Sequence, residues 1–234
     1  SKITTVGYYC NPIQYAEHRK TLENVICTAG KFGATHVSTF AGAWEGKPVE
    51  SAYEEFGKVF RELADLAEEK GVKLGIENCL MDGTWEHATC NIGFNPKAWE
   101  VMFEEVKNDN FGLEWEPTHQ MVQLIDPVTE LRKWCKKIVH IHGKDATIDW
   151  DAVRHSGISG AVPFVWHRMP GFGDTNWRDI ISILRSNGYE DDICIEGYHD
   201  PVYSGELEMT GQLHALNYLK WCRGGEFTPT PWAK

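Results

Sequence analysis

Basic charge is scarce in this chain: 23 Lys and Arg stand against 34 Asp and Glu, a formal net charge of −11. A protein that grips a nucleic-acid backbone needs a basic surface, so no nucleic-acid partner is expected. No run of roughly 18 apolar residues is present, so no membrane span is expected. The opening SKITTVGYYCNP lacks the basic leader and apolar stretch of a secretory signal, and a cytoplasmic location is expected. The seven cysteines, at 10, 27, 79, 90, 135, 194 and 222, never form a CxxC pair. An odd, dispersed set argues for reduced thiols rather than a disulfide framework. Low-complexity linkers and short repeats are also missing, so residues 1–234 read as one domain of the α/β-barrel size class. The ten tryptophans are compatible with an interface between copies, that is, a homo-oligomer.

What is present is an alternation of strand-like and helix-like segments, which predicts a parallel sheet. Strands are expected at 2–8, 35–40, 72–78, 111–117, 137–145, 163–167 (weakly marked) and 192–198. Helices are expected at about 15–31, 50–70, 96–107, 127–136, 177–187 and 206–222. The second helix carries apolar residues at three- and four-residue spacing and is stopped by Gly71. These are seven strands, and a closed barrel wants eight; a strand and helix preceding Ser1 are therefore expected to be absent from this sequence.

Four strands present polar groups on the face opposite their apolar set, because side chains alternate along a strand. In VKLGIEN, Glu77 shares a face with Lys73 and Gly75. In FGLEWEP, Glu114 and Glu116 share one. In KIVHIHGKD, His140 and His142 oppose Val139 and Ile141, and in DICIEGY, Glu196 opposes Ile193 and Ile195. A carboxylate facing a sheet or barrel interior costs several kcal/mol unless it is paired or bound to a cation. Carboxylates and a histidine at strand ends point to a divalent metal. The plain alternatives are pairing of Glu77 with Lys73, a surface turn at Glu-Pro-Thr-His (Glu116 to His119), and a local Lys144–Asp145 salt bridge or a role for that pair in holding His142. Glu114 competes with Glu116 as a ligand, and His140 reads as a core histidine satisfied by hydrogen bonding. His36 and His87 read as structural or exposed. Phe40, Trp44 and Trp85 could wall a sugar ring, and the loop from His167 and Arg168 through Pro170, Gly171 and Gly173 could be an anion cradle or an ordinary turn. A set of carboxylates and imidazole suits Mn²⁺ first, with Co²⁺, Mg²⁺ or Zn²⁺ as alternatives.

In this order, IEN at Glu77, EPTH at Glu116, HIHGKD at His140, PGFGDTNW at Pro170 and IEG at Glu196 resemble the xylose-isomerase-like TIM-barrel superfamily, and the likeness runs over nearly the whole chain. The resemblance implies a TIM (β/α) barrel that begins at the family's second strand. It implies that Glu77, Glu116, His142 and Glu196 hold one divalent metal, and that His119 and Arg168, with His167 as a rival, contact substrate. Trp44 is a further substrate-side candidate. The family commonly has Asp-Pro-Ser-His where this chain has Glu-Pro-Thr-His, so Glu116 reaches about one methylene further. The activity expected first is a metal-dependent isomerase or epimerase of a ketose, inosose or related polyol, with Glu77 and Glu196 moving a proton beside the carbonyl. The alternative is a dehydratase or lyase acting on a keto-sugar or inosose through the same metal site, including 3-keto-glycoside cleavage. An endonuclease-IV-type repair enzyme stands third, opposed by the acidic charge.

Overall fold

Helix α2 (Tyr53–Glu69) shows why the layers form. Phe56, Val59, Phe60, Leu63, Ala64 and Ala67 recur at three- and four-residue spacing and all are buried. Phe56 stacks on Phe60 at 4.6 Å, and Phe60 lies 5.9 Å from Phe111 of strand β4 (Phe111–Trp115). The helix ends where Gly71 takes φ +68°, a backbone shape glycine adopts freely, and its N–H returns to the Glu68 carbonyl. Helices α3 (Pro96–Glu105) and α5 (Pro127–Trp134) begin at Asn95 and Asp126, whose side chains accept from Lys97 N and Thr129 N, each with proline in the first turn.

The computed structural model describes residues 2–226 and 228–230. The remaining elements are β1 (Thr5–Gly7), α1 (Ala16–Ala29), β2 (His36–Thr39), β3 (Lys73–Glu77), α4 (Pro117–Met121), β5 (Ile138–Gly143), β6 (Asp145–Ile148), α6 (Trp150–Ser156), β7 (Val165–Arg168), α7 (Trp177–Ser186), β8 (Ile193–Ile195) and α8 (Glu208–Cys222). Six strands form one sheet in the order β1-β2-β3-β4-β5-β8, and each successive pair from β1 to β5 is parallel. The parallel pairing from β1 to β5 is what the alternation of strand-like and helix-like segments predicts. The chain gathers into two compact units. One runs up to His142 and includes Asp191–Cys194; the other holds Gly143–Glu190 and the chain from Ile195 on.

In the first unit, β3 and β4 pair in register, Gly75 with Gly112 and Glu77 with Glu114. Between β4 and β5 the register shifts: Leu113 pairs with Ile138, but Glu114 pairs with His140. The extra residue is Val139, and this bulge corrects the simple alternation drawn from the sequence. Side chains added at Gly75 or Gly112 would meet the Val139 methyls, so Val139 shares the face of those glycines instead of opposing His140. A bulge lets two successive residues face one way, which sets His140 beside Glu114.

In the second unit, the segment expected as a barrel strand at 163–167 is β7, and it pairs antiparallel with β6, Asp145 against Arg168 through Ile148 against Val165. Between the strands expected at 137–145 and 163–167, the chain holds most of β6 and the short helix α6, capped by Asp149. Asp145 is fully buried and accepts from the backbone N–H of Ala146, Gly171 and Thr175, so it ties the Pro-Gly loop to β6. α7 buries Trp177, Ile180, Ile181, Ile183 and Leu184. No described helix is long and apolar enough to cross a membrane.

Candidate metal centre

Three strands of the first unit deliver the polar cluster. Glu77 ends β3, Glu116 follows β4 at the mouth of α4, and His142 lies near the end of β5. Both carboxylates are buried, Glu116 completely. His142 Nδ1 lies 3.2 Å from Glu77 Oε1 and 3.6 Å from Glu116 Oε2, and one donor atom from each of the three falls within 4.8 Å of the others. Burial pushes the Glu77 carboxyl up to about 7; Glu116 and Glu114 add to the rise, and hydrogen bonding to His142 opposes it. Two buried carboxylates and an imidazole form a hard-to-borderline donor set without a thiolate, and it fits a divalent cation.

The strand ends are held by two buried amides. Asn78 donates to the Glu116 carbonyl at 2.9 Å and accepts from Glu116 N at 2.7 Å. Asn91 donates to the carbonyls of Glu77 and Cys79 and accepts from Ala41 N and Gly93 N. Asn78 stands in the IEN motif, so a signal for it existed; nothing in the sequence marked Asn91.

A second cluster lies one residue pair deeper on the same strands. Glu114 is fully buried and accepts from Tyr9 OH at 2.8 Å on Oε2, and from Ser38 Oγ at 2.5 Å on Oε1. His140 Nδ1 meets Oε1 at 2.7 Å, while its Nε2 lies 3.3 Å from Cys194 Sγ. Burial alone would raise the Glu114 carboxyl, but its bonds with His140 and His142 hold it far below the usual carboxylate range. Burial acts to lower His140, yet its bonds with Cys194 and Glu114 carry it up to about 9. The Cys194 thiol is lowered by its bond to His140. Glu114 and His140 are thus a buried, hydrogen-bonded pair, which agrees with the core reading of His140 and argues against Glu114 as a free competitor for metal.

The other candidates have definite places. His119 is buried on α4, its Nε2 3.3 Å from Glu116 Oε1. Trp44 is half-buried, with Lys47 over its ring. The alternative that paired Glu77 with Lys73 fails, because Lys73 bonds Asp191 at 3.1 Å. His36 is buried and faces the same Asp191; His87 is exposed. In the second unit, Arg168 Nε donates to Asp200, and His167 packs against the His199 ring. Glu196 Oε1 accepts from the buried Lys144 at 2.7 Å. This corrects the expected local salt bridge between Lys144 and Asp145: the lysine pairs with Glu196, and the aspartate accepts from backbone amides.

The profile of the xylose isomerase-like TIM barrel family matches residues 3–220. The chain belongs to that family. An inosose dehydratase of Clostridium tetani is 26% identical over 182 residues, covering 76% of this chain and 57% of the relative; the chain therefore spans little more than half that protein's length. Among solved structures, a D-psicose 3-epimerase studied in the presence of D-fructose superposes with a TM-score of 0.69 at 16% identity, over 95% of this chain and 79% of the other. The IolI protein, solved with a bound zinc atom, superposes with a TM-score of 0.66 at 21% identity, over 94% and 74%. At those identities the structural likeness speaks for the fold.

Proposed function

We propose that this protein is a divalent-cation-dependent dehydratase of an inosose or a similar cyclic keto-polyol. The observation that carries the reading is the trio of Glu77, Glu116 and His142, two buried carboxylates and an imidazole whose donor atoms converge within 4.8 Å of one another. The similarity to inosose dehydratases moves the emphasis from the isomerase expected first to the lyase held as its alternative. Bound at the trio, a cation would act as a Lewis acid that stabilises negative charge developing on the carbonyl oxygen. The zinc of IolI supports a cation of this class, and Mn²⁺, Co²⁺, Mg²⁺ and Zn²⁺ all suit the donors. Glu196 is proposed as the fourth ligand on the strength of the motif resemblance.

Glu77 is the proposed base. Ligation to the cation would keep this carboxylate ionised, able to take a proton as base and to return it as acid once protonated. It removes the proton next to the carbonyl; the freed electron pair forms a carbon–carbon double bond, and the β carbon–oxygen bond breaks. The departing hydroxyl takes a proton and leaves as water. Glu196, ion-paired with Lys144, is the proposed partner in proton transfer, and His119, Trp44 and Arg168 or His167 are proposed substrate contacts. A second reading keeps the first step but returns the proton to the other face, giving an epimerase, and the likeness to the D-psicose 3-epimerase fold supports it.

Incubation with inosose and a panel of ketoses, each with Mn²⁺, Co²⁺, Mg²⁺ or Zn²⁺ in D₂O, tests both. A product lighter than inosose by one water supports the dehydratase. An isomer of unchanged composition carrying deuterium beside its carbonyl replaces it with the epimerase. Neither product, with every metal, sinks the proposal.

A further inference from the structure

The two clusters share His142. Its Nδ1 faces Glu77 and Glu116, and its Nε2 lies 3.3 Å from Glu114 Oε1. We propose that Glu114 is a positioning residue: its carboxylate holds the proton on His142 Nε2 and thereby aims the Nδ1 lone pair at the outer carboxylates and their cation. This rests on the reading of Glu77, Glu116 and His142 as metal ligands, but not on which reaction follows.

The argument is one of supply and geometry. A neutral imidazole has one N–H and one lone pair, and the acceptor near one nitrogen decides which nitrogen remains to bind a metal. Glu114 is suited to that duty because it is itself immobilised: Tyr9 OH holds Oε2, while Ser38 Oγ and His140 Nδ1 hold Oε1. Such a carboxylate is a fixed anion, and a fixed anion fixes the ring beside it. The bulge at Val139 is part of the device, since without it Glu114 would not pair with His140.

The same atoms admit a rival. Glu114, His140 and His142 also place one donor atom each within 4.8 Å of the others, so an inner cation site is conceivable on distance alone. Against it, both Glu114 oxygens already accept hydrogen bonds, and an inner ion would have to displace the bond from His140.

The test is ¹⁵N NMR of histidine-labelled protein with and without Zn²⁺, the His142 signals being assigned with His142→Asn. The expected result with Zn²⁺ is an N–H on Nε2 and the metal-induced shift on Nδ1, which exchanges its hydrogen bond with Glu77 for the ion. In Glu114→Gln, the Nε2–H signal should shift or vanish and Zn²⁺ affinity should fall about 10- to 100-fold, the range typical of lost partners to metal-bound histidines. Glu114→Asp should recover part of that loss. A proton on Nδ1 with Zn²⁺ on Nε2, two bound ions per chain, or an unchanged affinity in a folded Glu114→Gln would each overturn the proposal. The wild-type spectra decide the tautomer even if the variant fails to fold. Failure of the dehydratase reading would instead show as metal binding with the expected tautomer and no turnover.

Discussion

The outer and inner clusters both combine carboxylates with imidazole along β4 and β5, the outer one drawing also on Glu77 of β3, yet they are in opposite states. Inside, one carboxylate, Glu114, receives hydrogen bonds from Tyr9, Ser38 and His140, and its charge is matched. Outside, two carboxylates, Glu77 and Glu116, crowd around one imidazole. The directions of the carboxyl shifts record the difference: Glu114 is pulled down, whereas Glu77 is pushed up. One residue pair along β4 and β5 therefore separates a carboxylate matched by donors from two that crowd one imidazole.

The largest effect should come from removing Glu77, the proposed base. Glu77→Gln should lower turnover by about 10²- to 10⁴-fold, the usual weight of a general acid or base, measured as product formation under saturating metal. Without metal, the same variant should be no less stable than the parent at pH 8. The inner cluster should behave the other way. Glu114→Ala strands Tyr9, Ser38 and His140 without their acceptor, and should cost about 3–5 kcal/mol of unfolding free energy by analogy with broken buried pairs, read from denaturant titration. If Glu77→Gln proved as destabilising as Glu114→Ala, the contrast between the clusters would fail.

The pH dependence sharpens the comparison, measured as denaturation midpoints in the presence of a chelator. The folded Glu77 carboxyl stands at about 7 against an ordinary 4.5. Its stabilising contribution is therefore full below 4.5 and lost as pH rises through 7, a change on the order of 3 kcal/mol. His140, raised from 6.5 to about 9, contributes fully below 6.5 and loses its contribution as pH passes 9. Glu114, depressed, contributes above the ordinary carboxylate range and loses its contribution as pH falls well below it. Glu77→Gln should abolish the decline between 4.5 and 7 and leave the one between 6.5 and 9. The smallest effect belongs to the exposed pair of Lys73 and Asp191, where Lys73→Ala should cost no more than about 1 kcal/mol and leave turnover unaltered. A larger loss of activity would return Lys73 to the neighbourhood of Glu77.

Much of this was legible in the sequence because it rests on short-range rules. The apolar stripe of α2, its stop at Gly71 and the alternation along β3 and β4 depend only on neighbours in the chain, and that alternation put Glu77 on the polar face of β3 and Glu114 with Glu116 on that of β4. The bulge at Val139 was not legible, because it arises from the room left by Gly75 and Gly112 on two other strands. Nor was the partner of Lys144, since Glu196 is 52 residues away, nor the antiparallel pairing of β7, which depends on how the chain returns after α6. The roles of Tyr9, Ser38 and Asn91 were invisible for the same reason: each acts only through a distant segment.

Anomalous scattering from crystals soaked in Mn²⁺ or Zn²⁺ tests the central claim most directly. The account predicts one peak, bounded by Glu77, Glu116 and His142 Nδ1 at roughly 2.0–2.3 Å, ordinary distances for such ligands. A peak lodged instead between Glu114 and His140, or no peak near His142 at metal concentrations that support turnover, would contradict it.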